Sequence, residues 1–161
     1  NVSARAAHTF DGIAPSVVFV GPPGSVNAYD RRGEMANAIK DACNAVNIGD
    51  VAGCGRSEDP AGVASVQYQL ERRATLLGLP VGQRECYDGI AKAWSTTCVY
   101  RSAVLTTVNS TTVLWEIPSK TGDAYKSVNG VVYSYVMSII ATDSIGNVGA
   151  AQTSTYSYAR N

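Results

Sequence analysis

The stretch Val63-Ala64-Ser65-Val66-Gln67-Tyr68-Gln69-Leu70 decides the fold class. Val63, Ser65, Gln67 and Gln69 fall on one side, with Ala64, Val66, Tyr68 and Leu70 on the other. A period of two with one wet and one dry side belongs to a half-buried strand. Val131 to Thr142 is the longest strand candidate: Val132, Ser134, Val136, Ser138 and Ile140 alternate with Tyr133, Tyr135, Met137 and Ile139. Gln152 to Ala159 alternates in the same way and closes the chain.

Turn signals separate further runs. Ser16 to Val20 is a β-branched run between Pro15 and the turn Gly21-Pro22-Pro23-Gly24. Glu34 to Val46 places Met35, Ile39, Ala42/Cys43 and Val46 at helical spacing. Ile48 to Cys54 is a second strand candidate, Ser57 to Gly62 reads as a turn cluster, and Leu76 to Glu85 as a loop. Tyr87 to Trp94, Val99 to Val108 and Thr111 to Ile117 read as strand material, with a hairpin turn at Asn109-Ser110. About seven strands with turns between them predict an all-β antiparallel sandwich carrying a short helical or irregular insertion near residues 30–46. The expected core joins Phe19, Val66, Tyr68, Trp115, Val136 and Ile140. Residues 1–10 read as a tail or linker and 11–161 as one domain.

Composition narrows the function classes. Among 161 residues, 13 Lys+Arg balance 13 Asp+Glu, which argues against a nucleic-acid partner that needs a basic face. No apolar run approaches the ~18 residues of a membrane helix, so no membrane insertion is expected. Asn1 to Phe10 lacks an apolar stretch, so a secretion signal is expected to have been removed or to lie upstream.

The four cysteines fall in two close pairs, Cys43/Cys54 and Cys86/Cys98. Local disulfides are the expected reading, with free thiols and zinc as competitors; zinc suffers because neither spacing offers a C-x2-C knuckle. Disulfides imply an oxidising compartment, and hence a secreted or cell-surface protein.

The order Asp11…Ala14-Pro15-Ser16-Val17, then Asp59-Pro60-Ala61-Gly62-Val63-Ala64-Ser65-Val66, then Ala141-Thr142-Asp143-Ser144-Ile145-Gly146-Asn147 resembles bacterial immunoglobulin-like repeats of large secreted proteins and adhesins. Tyr87 to Trp94 and Thr111 to Trp115 look like the middle of that family, and the resemblance spans residues 11 to 159. The chain departs from it at Tyr29–Val46 and in the long 71–86 segment. The resemblance implies an immunoglobulin-like sandwich serving as a spacer or binding module without catalysis, with neighbouring domains of the same polypeptide, a surface glycan or a protein receptor as partners.

Catalysis finds no assembled set of groups: the acids sit in turns, and His8, the single histidine, lies in the expected tail. Calcium is the candidate cofactor, with Asp11, Asp143 and Asn147 as ligands if the strand ends converge; Asp59 falls at the same pole or the opposite one. Equally, Asp143 and Asn147 can shape their own turn through side-chain-to-backbone hydrogen bonds. Trp94 and Trp115 are either a sugar-stacking platform or core. An isopeptide crosslink would need a buried lysine, and Lys40, Lys92, Lys120 and Lys126 lie in loops or segments of uncertain type. The expectation is a non-catalytic extracellular module, with a carbohydrate-binding module and a strand-donating subunit using residues 1–10 as alternatives.

Overall fold

The computed structural model describes residues 12–22, 28–29, 32–44, 51–125 and 131–159. The tail at 1–10, with His8, therefore lies outside the described residues, as does Asp11. Among the described residues eleven strands form: β1 (Ser16–Gly21), β2 (Ala28–Tyr29), β3 (Cys54–Leu76), β4 (Leu79–Pro80), β5 (Glu85–Asp88), β6 (Ala93–Ser95), β7 (Arg101–Ser102), β8 (Val104–Leu105), β9 (Ser110–Glu116), β10 (Val132–Asp143) and β11 (Gln152–Ala159). The helices are α1 (Arg32–Cys43) and the single turn α2 (Thr121–Ala124). The class is all-β, as the alternation predicts. The strand count exceeds about seven because the material between 76 and 108 is broken into two- to four-residue pieces by turns at Leu77-Gly78 and 89–92.

The helix overlaps the Glu34–Val46 span that the 3.6-residue spacing predicts, starting earlier at Arg32 and ending at Cys43, while Val46 lies outside the described residues. Met35, Ala36 and Ile39 bury one side, and Glu34 and Lys40 sit at the ends the helix dipole favours. It is followed by Asn44 at φ 56, a left-handed residue beyond the last turn.

β3 organises the molecule. At 23 residues it is too long for one sheet of a domain this size, and it changes partners midway. Its first part pairs with β1 on one side (Ser16↔Glu58 to Gly21↔Cys54) and with β9 on the other (Cys54↔Glu116 to Glu58↔Thr112). Its second part pairs with β10 (Val63↔Asp143 to Thr75↔Val132), and opposite β10 with β7, β5 and β4. β11 lies antiparallel beyond β10, and β2 joins β11 in parallel.

The change of partners falls at Asp59-Pro60-Ala61-Gly62, where the register against β9 skips from Glu58 to Val63. These are the residues that read as a turn cluster. The structure keeps their turn chemistry inside a strand: the Asp59 carboxylate accepts the Ala61 N–H at 2.8 Å, and Gly62 takes φ +90. The chain folds over there, because Gly53 lies against Met137, and Met137 pairs with Leu70 far along the second part. The two parts of β3 thus face each other in a sandwich-like arrangement with the core between them.

That core holds Trp115, Tyr68, Tyr135, Leu70, Ile117, Met137 and Ile139, all fully buried, with α1 contributing Met35 and Ile39. Phe19 meets Trp115 edge-on, centroids 6.0 Å apart. Val136 and Ile140 are only half-buried. They belong to the other face of β10, because its aromatic set Tyr133, Tyr135 and Met137, Ile139 points inward; both faces of that strand carry apolar residues, and bulk decides which is buried.

Candidate functional site at the arched pole

The fold-over of β3 makes one pole of the molecule, and three other segments converge on it. The Ser144 N–H donates to the Gly62 carbonyl at 2.8 Å and the Ser144 hydroxyl to the Ala61 carbonyl, joining the β10–β11 turn to the arch. The Asn147 Nδ2 reaches the Ile13 carbonyl at 3.4 Å. The Asn109 N–H donates to the Val63 carbonyl at 2.8 Å, bringing in the segment before β9.

Asp143 and Asn147 are brought together here, as the calcium reading requires, but each faces the other. The Asp143 Oδ1 accepts the N–H groups of Asn147 and Ile145 at 2.8 and 3.0 Å, and Oδ2 accepts the Asn147 side-chain amide at 2.7 Å. Both carboxylate oxygens thus serve the turn. Burial pushes the Asp143 carboxyl up, yet the N–H groups of Asn147, Ile145 and Gly146 outweigh it and hold it below the ordinary carboxylate range. Asp11 lies outside the described residues, and no group of three His, Cys, Asp or Glu able to hold a metal forms among them.

Asp59 is at this pole as well. It is 2 % exposed, and its Oδ2 has no hydrogen-bond partner among the described residues. It lines an open cleft of about 420 Å³ with Ile13, Ala14, Ser16, Glu58, Pro60 and Thr111–Thr112. Glu58 stands exposed on the opposite strand face, 3.2 Å from Arg56. The cleft escapes sequence reasoning because its walls come from three segments far apart in the chain.

The two indoles differ in depth, with Trp94 half-buried. Trp115 is fully buried. Trp94 packs between Tyr87 (5.2 Å) and Tyr135 (5.9 Å), and the Arg72 guanidinium lies 4.3 Å over its ring. Arg72 is itself held 2.8 Å from Glu85 and 4.8 Å from the Tyr133 ring, so the indole face beneath it is occupied. Around them two tyrosine hydroxyls pair internally: Tyr125 donates to the Ala52 carbonyl and meets the Tyr156 hydroxyl, both at 2.7 Å. Burial pushes the Tyr135 hydroxyl far up, so it stays neutral.

Both local disulfides form. Cys43–Cys54 ties the last residue of α1 to the first of β3, and Cys86–Cys98 ties β5 to the segment after β6. None of the described cysteines is free. No helix among the described residues is long and apolar enough to cross a membrane. No protein-family model matches the chain, and no curated protein matches it. What the geometry defines is a class: a disulfide-linked, all-β, sandwich-like domain.

Proposed function

We propose that this chain is a non-catalytic, immunoglobulin-like extracellular module, a structural or adhesive unit of a larger secreted or surface protein. One observation carries the reading: the chain enters and leaves at opposite poles. It enters β1 beside the arch, where Ile13 meets Asn147, and leaves at Ala159, which pairs with Val132, itself paired with Thr75. Between Val63 and Thr75 the sheet spans roughly 40 Å at about 3.3 Å per residue. A domain with its ends at opposite poles extends a polypeptide, whereas ends side by side make an insert. Two disulfides are compatible with the oxidising setting this role needs. Burial of Trp115 and the Arg72 guanidinium lying over Trp94 weaken the carbohydrate-binding alternative, and the strand-donating alternative rests on residues 1–10, outside the described residues.

The test places a fluorescent reporter ahead of Gly12 and another after Ala159. Energy transfer should report a separation of at least the sheet length, about 40 Å. Reporters closer than half that distance would overturn the spacer reading, as would retention of the purified chain on a glycan array through Trp94.

A further inference from the structure

The pole where the chain leaves carries a feature that the fold does not need. β3 and β4 form a hairpin that projects past the end of β10, whose pairing with β3 begins at Thr75↔Val132. Its tip reads Leu76-Leu77-Gly78-Leu79-Pro80-Val81, and Leu76, Leu77, Leu79 and Val81 are all exposed, Leu77 at 96 %. Leu77 and Gly78 both have positive φ, +51 and +80. A two-residue hairpin loop with that backbone favours Asn-Gly or Asp-Gly, and a leucine there is both strained and wet. Neither local geometry nor the core accounts for it. Just behind the tip stand Arg73, exposed and with no carboxylate partner among the described residues, and Arg84, half-exposed and paired with Glu71.

The opposite pole is its complement. The cleft at the arch is concave where the hairpin is convex, and Ile13, Ala14 and Pro60 supply apolar wall. Its reachable carboxylate is Glu58, exposed and 3.2 Å from Arg56, while Asp59 stays buried in the wall. Arg73 puts an exposed positive charge behind the tip, and the two carboxylates at the cleft outnumber Arg56 beside them. We infer that the hairpin tip of one copy docks in the arch cleft of a second copy, head to tail. Leu77 and Leu79 enter the cleft, and Arg73 faces Glu58. Because tip and cleft lie at opposite ends, such a contact does not close, and copies string into open chains. This goes beyond the module reading, which does not require successive units to touch.

Sedimentation of the whole chain over a concentration series tests it. Mass should grow with concentration without a fixed end point. Leu77→Asn should abolish the growth while leaving the melting temperature equal or higher, since asparagine suits that backbone better than leucine. Arg73→Glu should weaken association by about tenfold or more, and Glu58→Arg in the same chain should restore it. Mixing Leu77→Cys and Thr111→Cys chains with a short bifunctional thiol linker should join tip to cleft. A chain that stays monomeric at every concentration would overturn the docking and leave the module reading standing. Growth untouched by Leu77→Asn, or linkage of tips only to tips, would overturn it too.

Discussion

At the residue scale, stability turns on a few side chains that lack slack. Gly55 sits where an added Cβ would lie 2.2 Å from the Val18 carbonyl oxygen and 2.3 Å from the Trp115 ring. Gly55→Ala should therefore destabilise by about 1–3 kcal/mol as an overpacked site, read from a urea transition. Trp115→Ala, which removes the largest fully buried ring, should cost about 3–5 kcal/mol; a loss of a few tenths would place that indole at the surface. Asp143 and Asp88 both have carboxyls held below their ordinary value. For Asp88 the Ala91 N–H does most of this against some burial, helped by the Ile90 N–H and Arg101. The unfolded chain then binds more protons than the folded one across the carboxylate range, so stability rises with pH there. It should be level above about pH 5 and fall away through about pH 4 and below, with a shallower fall in Asp143→Asn. Since both Asp143 oxygens already accept N–H groups, Asp143→Ala should lower the melting temperature equally in calcium and in chelator. A loss seen only in calcium would make that turn a metal site.

At the scale of elements, the arch in β3 and the two disulfides do the work of joining layers. Gly62 and Gly146 both have φ near +90°, at +90 and +98, but only Gly62 is crowded, with the Asn109 carbonyl oxygen 2.7 Å from where a Cβ would stand. Gly146→Ala should cost about 1–2 kcal/mol of backbone strain alone. Gly62→Ala should cost clearly more, and equal midpoints in urea would mean that the arch is not sterically closed. Each disulfide bridges a short span, with separations of 11 and 12 residues, and replacing either pair by serine should lose about 2.5–3 kcal/mol. Removing Cys43–Cys54 should also loosen α1, which that bond ties to the first residue of β3.

At the scale of the molecule, one core joins the second part of β3, β9, α1 and the tyrosine cluster of β10 and β11. Thermal unfolding should accordingly be a single transition, coincident by tryptophan fluorescence and far-ultraviolet circular dichroism. Two separated transitions would show that α1 and β1 melt apart from the rest. The same length that lets β3 serve both layers sets the two poles apart.

The sequence by itself determined the strand character of Val63–Leu70 and Val132–Asp143, the boundaries of β1, β11 and α1 within a few residues, and the pairing of neighbouring cysteines. Each follows from periodicity or chain proximity, which are local. Only the tertiary structure decided that Asp59–Gly62 is an arch inside one long strand and not a turn between two, because its partners, Asn109 and Ser144, are 47 or more residues away. It likewise decided that Val136 and Ile140 give way to Tyr135 and Met137 on the buried face. On a strand with apolar residues on both sides, the opposing layer chooses the face, and no local pattern encodes that layer.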